Sequence, residues 1–174
     1  MALAEVAARL LDTLAPETVL IGGVCGALYG VERFTRDVDL AATFDASDIM
    51  KRLQDAGILA EIRRSSESDE LSWVVHGELD GIEFQVLPAS ETGISIDSSE
   101  VKAGLRVADI QSFITSKCIA GGQQDMHDVA ALWLMHPELT SFCREKATAH
   151  GCLEKLQGWL DDRRLQQRYS AQSG

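Results

Sequence analysis

The sequence predicts an α+β protein in which a small mixed sheet is flanked by helices and followed by a C-terminal helical tail. Segments of helical and strand-like hydrophobic periodicity alternate through the first 90 of its 174 residues. From Ala108 onward nearly every segment has helical periodicity. Apolar side chains make up 45% of the chain, enough to bury a core without disulfides or a structural metal. We therefore expect one compact protein, with an α/β core over residues 1–90 and a connecting and helical region over residues 91–174.

The elements of the first half follow from periodicity and from residues that begin or end helices. Pro16 stops an amphipathic first helix. Asp45 is a favourable N-cap and Gly57 a favourable stop for another helix, and Asp80-Gly81 suits a tight hairpin turn. The predicted helices cover about Leu3 to Leu14, Val24 to Val31 and the residues between Asp45 and Gly57; the predicted strands cover Thr18 to Ile21, Asp37 to Ala42, Ile58 to Arg63, Leu71 to Leu79 and Ile82 to Leu87.

The second half begins with a long polar stretch, SETGISIDSSEVKAG, which we expect to be an irregular connection. Helical periodicity then predicts four helices, in which Pro137 suits a first helical position and Gly151 a helix stop. These helices cover about Asp109 to Ala120, Gln123 to Met135, Pro137 to His150 and Cys152 to Tyr169.

The distribution of charge argues against general nucleic-acid binding. The net charge is −11, with 7 Lys and Arg against 19 Asp and Glu in residues 1–100 and 9 against 8 in residues 101–174. A protein that binds nucleic acid without sequence preference gains its affinity by neutralising phosphates, and so is basic. The run DDRRLQQR near the C-terminus is the only dense basic patch, and we expect it to be a solvated helix end.

Membrane insertion and cysteine chemistry are not indicated either. No run of apolar residues approaches the roughly 20 that span a bilayer. The N-terminal segment carries Glu5, Arg9 and Asp12 at helical spacing, which differs from a signal peptide. The four cysteines are scattered without a CxxC pair, and Cys25 and Cys118 have apolar neighbours, so buried free thiols are expected. We expect a cytoplasmic protein.

The candidate site lies in the stretch LIGGVCGALYGVERFTRDVDL. Asp37 and Asp39 are two residues apart on a predicted strand, so that both carboxylates point to one face, about 6.6 Å apart along the strand. Two such carboxylates repel unless a cation lies between them, and Mg²⁺ with substrate phosphates is the usual occupant. Gly22-Gly23 allows close approach of the backbone to a ligand, and the following helix directs free N–H groups at an anion. The pattern predicts phosphoryl or nucleotidyl transfer.

These residues resemble the signature of the nucleotidyltransferase fold, the DNA polymerase beta-like superfamily. Ile21-Gly22-Gly23 is followed by 13 residues and then by Asp37-Val38-Asp39-Leu40, which fits hG[GS] and Dh[DE]h at the family's spacing. The fuller pattern resembles the bacterial branch of AbiEii-type toxins and aminoglycoside-nucleotidyltransferase-like proteins. The resemblance implies an NTP substrate, foremost ATP, and Mg²⁺ as the cofactor. It leaves the acceptor open between a small molecule, tRNA and a protein, and it includes an antitoxin or another protein as a partner. The alternative is a turn glycine pair beside an exposed acidic strand.

Positive charges near this motif are candidates for phosphate contacts. Lys117 ends an apolar helical face, and the resemblance implies that such a lysine reaches nucleotide phosphates; the alternative is an ion pair with Asp128 between packed helices. Arg33 and Arg36 flank the acidic motif and are further nucleotide-binding candidates, although either could pair with Asp37 or Asp39.

The third carboxylate that the family implies is missing from its expected place. In the stretch GIEFQV, Gln85 stands where an aspartate is expected, and an amide cannot act as a general base. Glu83 lies on the same strand face and is a candidate substitute. His76 and His127 are alternative bases, with structural roles as the simpler interpretation. The competing hypothesis is a degenerate nucleotide-binding or partner-binding module; a phosphohydrolase has no separate support.

Overall fold

Seven strands form one mixed sheet in the computed structural model, which describes residues 3–64 and 71–170. The order of strands across the sheet is β3-β4-β5-β2-β1-β7-β6. The strands are β1 (Thr18–Ile21), β2 (Val38–Ala42), β3 (Ala60–Arg64), β4 (Trp73–Leu79), β5 (Ile82–Pro88), β6 (Glu100–Lys102) and β7 (Leu105–Val107). The helices are α1 (Leu3–Leu14), α2 (Gly22–Leu28), α3 (Ala46–Asp55), α4 (Ala89–Thr92), α5 (Ile110–Ala120), α6 (Gln123–Met135), α7 (Thr140–Ala149), α8 (Leu153–Leu160) and α9 (Arg163–Ser170).

The centre of the sheet is formed by β1, β2 and β5, and it fixes the geometry of the site. β2 is antiparallel to β1 and parallel to β5. All four residues of β1 are buried, as expected for a strand that is covered on both faces. The N-terminal helix α1 packs against this region with its whole apolar face, from Val6 to Leu14, in the core. The acidic motif therefore lies on the central strand pair, where neighbouring elements hold the backbone firmly.

The predicted turn and capping residues act as expected in the first half. Asp45 accepts a hydrogen bond from Asp48 N at the start of α3. Asp80 and Gly81 both have positive φ angles, 54° and 79°, and join β4 to β5 in a tight antiparallel hairpin. The boundaries of α1, β1 and α6 agree with the sequence prediction to the residue.

The structure corrects the prediction for residues 91–107. The segment expected to be an irregular connection, residues 90–104, contains most of the short helix α4 and the strand β6, and the strand β7 follows it directly. β7 lies parallel to β1, with Val107 level with Leu20, so the sheet extends beyond residue 90. Two further helix predictions are each divided: a 3₁₀ turn at Pro137–Leu139 precedes α7, and α8 and α9 are separate helices. Asp162 begins α9 by accepting hydrogen bonds from Arg164 N and Leu165 N.

The C-terminal helices pack on the same core and support the loop before β2. Tyr169 on α9 is completely buried, and its hydroxyl accepts a hydrogen bond of 2.8 Å from Glu32 N. All four cysteines are buried and free, as predicted for Cys25 and Cys118. Burial raises the pKa of Cys25 to about 12, so this thiol is inert at neutral pH. Within the described ranges, no helix is both long and apolar enough to cross a bilayer.

Candidate active site

The acidic motif lies at the start of β2 in the middle of the sheet. Asp39 is paired on one side with Ile21 of β1 and on the other with Gln85 of β5. Asp37 lies one residue before the strand, and its Oδ1 accepts a hydrogen bond of 3.0 Å from Thr35 Oγ1. Both aspartates therefore reach the same face of the sheet, at the point where β1 ends and α2 begins.

Gly22 and Gly23 follow β1 directly and pack against these side chains. A Cβ atom on Gly22 would lie 2.7 Å from both Cβ and Cγ of Asp39, and the φ angle of Gly22 is +64°. A Cβ atom on Gly23 would lie 2.7 Å from Cβ of Thr35 and 2.8 Å from Nη2 of Arg33. Helix α2 starts at Gly22 itself, two residues before the predicted start. The glycine pair is thus required by close contact between the turn and the acidic motif, and not only by a bend in the chain.

Asp39 is the carboxylate whose protonation the site perturbs most clearly. Burial raises the pKa of Asp39 to about 6, and the neighbouring charge of Asp37 acts in the same direction. The positive charges of Lys117 and Arg33 oppose this rise. A carboxyl group that is held next to a second carboxylate favours either a proton or a cation. The pair is therefore arranged to gain stability when positive charge is added.

The cations of the site are held in a buried network on α5 and α6. Asp128 is fully buried, with Oδ2 3.2 Å from Arg33 Nε and 3.3 Å from Lys117 Nζ. Lys117 Nζ also lies 2.8 Å from Asp125 Oδ1. Burial acts to raise the pKa of Asp128, but the hydrogen bond with His127 and the charges of Lys117 and Arg33 hold it below its usual value. The alternative interpretation of Lys117, an ion pair between packed helices, is what the structure shows.

Arg33 and Asp128 meet as an ion pair and not as a well-aligned hydrogen bond. Arg33 Nε and Asp128 Oδ2 are buried and lie 3.2 Å apart, but neither atom has a hydrogen-bond partner of good geometry among the described residues. Arg33 pairs with Asp128, and so the expected alternative of a pair with Asp37 or Asp39 is not observed. Its Nη2 atom lies against the Gly23 turn. The guanidinium group is thus placed between the buried acid and the glycine pair.

Arg36 is placed away from the other candidates. Along the extended loop before β2, Arg33, Thr35 and Asp37 are half-buried while Phe34 and Arg36 are exposed. The guanidinium carbon of Arg36 lies 5.0 Å from the centroid of the Phe34 ring, and Phe34 is 77% exposed. The structure therefore brings Arg33, but not Arg36, to the glycine pair.

The position of the missing carboxylate is visible in the register of the strands. Gln85 is the direct neighbour of Asp39, and His76 of β4 is the direct neighbour of Gln85 on its other side. Val38 pairs with Phe84, so Asp37, which immediately precedes β2, and Glu83, which precedes Phe84 on β5, both lie next to this first pair of the ladder. Beyond Gln85 this face of the sheet forms an open pocket with a volume of about 500 Å³, and Glu83, Gln85 and His76 are among the residues that line it. His127, the other candidate base, contacts Asp128 and Trp159 instead.

Thr35 belongs to the site although no sequence motif indicated it. This residue hydrogen-bonds Asp37 and is the nearest side chain to Gly23, so it joins the acidic motif to the glycine turn. Its position in the sequence FTRDVD could have indicated this contact. Thr35 lies two residues before Asp37, and a hydroxyl group at that spacing can reach the carboxylate to form a local hydrogen bond.

The donor set fits one Mg²⁺ ion bound together with a phosphate-bearing ligand. Mg²⁺ in proteins commonly takes one or two carboxylates and completes its shell with water and substrate phosphates. Asp37 and Asp39 supply the two carboxylates, and the pKa of Asp39 is raised first by burial and then by the charge of Asp37, which a cation would neutralise. Within residues 3–64 and 71–170 there is no cluster of three or more side chains that could hold a metal by themselves.

Comparison with known proteins identifies the fold. No family model matches the sequence, and no curated protein matches it. A crystal structure of a protein from H. pylori that has been proposed to be a nucleotidyltransferase matches with a TM-score of 0.52 and 18% identity, over 96% of this chain and 88% of that one. The structure of JHP933 from Helicobacter pylori matches with a TM-score of 0.50 and 17% identity, over 97% and 93%. The chain has the nucleotidyltransferase fold. The mixed sheet, the flanking helices and the C-terminal helices all conform to the predicted fold class.

Proposed function

We propose that this protein transfers a nucleoside monophosphate from an NTP to an acceptor, with pyrophosphate as the leaving group. The observation that carries the proposal is the contact between Gly22 and Asp39, which places a glycine turn directly against a carboxylate pair in the nucleotidyltransferase fold. The similarity of the chain to the H. pylori protein supports the same activity. ATP is the expected substrate, and Mg²⁺ the expected cofactor.

Each residue of the site has a role in this proposal. Asp37 and Asp39 would hold Mg²⁺, which on binding supplies positive charge to the α- and β-phosphates. Gly22 and Gly23 let the turn pack directly against Asp39 and Thr35, where a Cβ atom would clash, and the triphosphate would lie beside this turn. Arg33 and Lys117 place two positive charges close enough to lower the pKa of Asp39, and the same charges would stabilise a triphosphate. Arg36 would contact the bound nucleotide only if the loop before β2 moved.

The finer assignment, to the AbiEii-toxin-like or aminoglycoside-nucleotidyltransferase-like branch, is supported by the sequence motif. Within it the acceptor is a small molecule, tRNA or a protein. A toxin-like role would add an antitoxin as a partner and cytoplasmic action. The acidic face beyond Gln85, which includes Glu61, Glu78 and Glu83, favours an acceptor other than a polyanion on electrostatic grounds.

A second candidate function is a nucleotide-binding or partner-binding module without turnover. The observation that favours it is the position of Gln85, directly beside Asp39, where the superfamily resemblance implies a third carboxylate. An amide in that place carries no charge for the metal and accepts no proton. The intact carboxylate pair and glycine turn are consistent with both functions, because each would bind MgNTP.

The decisive experiment combines binding with turnover. The protein is incubated with each α-labelled NTP and Mg²⁺, alone and with total tRNA, and both pyrophosphate and labelled product are measured. Calorimetry with MgATP is run in parallel, with and without a chelator. Transfer that is lost in Asp39→Asn but kept in Asp55→Asn, an exposed carboxylate at the end of α3, supports the transferase. Metal-dependent binding without any product supports the binding module, and binding that is unchanged by the chelator contradicts both.

A further inference from the structure

A row of side chains that crosses the sheet beyond Asp39 includes an imidazole two strands away. From β2 to β3 the directly paired residues are Asp39, Gln85, His76 and Glu61. Residues that are directly opposite on neighbouring strands point to the same face. Strands are about 4.8 Å apart, so His76 lies about 10 Å from Asp39 by Cα position, with Gln85 between them. A group seated above Gln85 would be within reach of both side chains.

We infer that His76 is the general base that accepts the proton of the acceptor hydroxyl; the inference rests on the proposed transferase function. The acceptor oxygen forms a bond to the α-phosphorus of the NTP while the bond from that phosphorus to the bridging oxygen of the β-phosphate breaks. The proton of the hydroxyl passes to a ring nitrogen of His76, and pyrophosphate leaves with the bonding electrons. His76 then returns the proton to solvent.

The direction of attack places the acceptor on the His76 side. Gly22 and Gly23 directly follow β1, on one side of Asp39, and in the proposed function the triphosphate lies beside this turn. In phosphoryl transfer the incoming and leaving oxygens are roughly in line with the phosphorus. If pyrophosphate leaves over β1, the acceptor must approach over β5 and β4, where Gln85 and His76 lie. The open pocket of about 500 Å³ lies on this β5–β4 side of Asp39, and His76 is one of the residues that line it.

The electrostatic surroundings of His76 keep its imidazole neutral, as a base requires. Burial lowers the pKa of His76, and the positive charge of Arg63 lowers it further, while Glu61 and Glu83 act in the opposite direction. Arg63 is itself paired with Glu61 on β3, at 2.7 Å. Imidazole is also the side chain whose ordinary pKa is closest to neutral pH, and a base is most effective when its pKa is near the working pH.

Glu83 has a different place and therefore a different role. It lies two residues before Gln85 on the same strand, beside the Val38–Phe84 pair, and its direct neighbour on β4 is Glu78. A carboxylate there adds negative charge beside the metal-binding pair. His76, and not Glu83, is the residue next to Gln85 on the side away from Asp39, where a base could accept the proton.

The test is the pH profile of transfer at a fixed, saturating concentration of Mg²⁺, which favours the ionised form of Asp39, and wild type is compared with His76→Gln under the same conditions. Wild type should show a rate that rises with pH through an apparent pKa below 6.5 and then levels, because the base must be neutral. His76→Gln should lower kcat about 10²-fold or more, with the KM for the NTP changed less than about threefold, and should lose this acidic limb. The matched control is His150→Gln, on the exposed end of α7, which should keep both the rate and the limb of wild type.

Two further variants separate a base from a structural residue. His76→Ala should regain part of its activity when free imidazole is added, because the open surface admits a small base. His76→Gln combined with Gln85→Asp should also recover activity, since a carboxylate then stands beside Asp39. The inference is overturned if His76→Gln keeps its rate within threefold of wild type and keeps the acidic limb, or if neither rescue occurs. If wild type binds MgATP but transfers no nucleotide to any acceptor, the proposed transferase function is wrong, and the assignment of His76 as its base is then wrong as well.

Discussion

Asp39→Asn is predicted to stabilise the metal-free protein at alkaline pH while removing metal-dependent nucleotide binding. Burial and the charge of Asp37 raise the pKa of Asp39 from 3.8 to about 6 in the folded protein. Above pH 6 the folded state must therefore keep a carboxylate ionised in a place that favours its neutral form. Asparagine has nearly the same shape and no charge, so the substitution removes this unfavourable interaction.

The magnitude follows from the difference in pKa between the folded and unfolded states. A shift of about 2 pKa units corresponds to about 3 kcal/mol, at 1.36 kcal/mol per unit. Because the folded pKa is the higher one, wild type loses stability as the pH rises from about 4 to about 6. The advantage of Asp39→Asn should therefore be near zero at pH 3.5 and approach about 3 kcal/mol at pH 8. For a chain of this size, that is a rise of about 6–12 °C in Tm.

The assay is denaturant and thermal unfolding at a series of pH values in the presence of EDTA. Asp55→Asn serves as the control, since this exposed carboxylate should change stability by no more than about 0.5 kcal/mol at any pH. With EDTA replaced by MgATP at 100 times its Kd, wild type should gain about 2.7 kcal/mol and the variant almost nothing. A variant that is less stable than wild type at pH 8, or a difference that does not depend on pH, would refute the argument.

The other predictions concern the glycine turn and the buried ion network. Gly22→Ala should lower the free energy of unfolding by clearly more than the control Gly57→Ala. Both glycines have positive φ (+64° and +71°), but only at Gly22 would the added Cβ atom clash with Asp39. The control should cost about 1–2 kcal/mol and keep nucleotide binding. Gly23→Val should abolish MgATP binding in calorimetry, since its side chain would meet Thr35 and Arg33, and binding at wild-type affinity would contradict the assignment of the turn. Asp128→Asn should destabilise the protein by about 3–5 kcal/mol, since Arg33 and Lys117 lose a buried counter-charge. The control Glu61→Gln, which breaks the exposed ion pair with Arg63, should cost at most about 1 kcal/mol. The Asp128 contribution should shrink as the pH falls below about 4, because a lowered pKa stabilises only the ionised form, and a loss that does not decrease between pH 4 and pH 2.5 would contradict this origin.

Local signals predicted much of the fold. The amphipathic helix α1 and the buried strand β1 have strong periodicity and clear stops, and their bounds agree with the prediction. The strands β6 and β7 were missed because each has three residues, too few for a period to be visible. The turn Ala103-Gly104 between them has positive φ at both residues, but the pairing that makes β7 part of the sheet is to β1, more than 80 residues away in the chain. Contacts of this kind are set by tertiary packing.

The same distinction applies to the site. Asp37, Asp39 and the glycine pair form one short motif, so their proximity could be inferred from spacing. The ion pair of Arg33 with Asp128 joins residues 95 positions apart through helix packing, and the sequence offered nearer partners. The row from Asp39 through Gln85 to His76 depends on the register of three strands, and a shift of one residue would turn each side chain to the other face. Periodicity cannot fix that register.

The neutral residue beside Asp39 has an electrostatic consequence that links the stability of the site to its chemistry. Asp39 already has a raised pKa with one carboxylate nearby, and an aspartate in place of Gln85 would stand directly beside it on the next strand. Like charges at this separation disfavour ionisation of both groups, so the metal-free site would be less stable and less able to release its protons to a metal. Gln85 avoids this repulsion and keeps a hydrogen-bonding group in the row. The loss of a carboxylate base at this position is compatible with transfer only if another group accepts the proton, and His76, neutral and next in the same row, meets that requirement without adding negative charge.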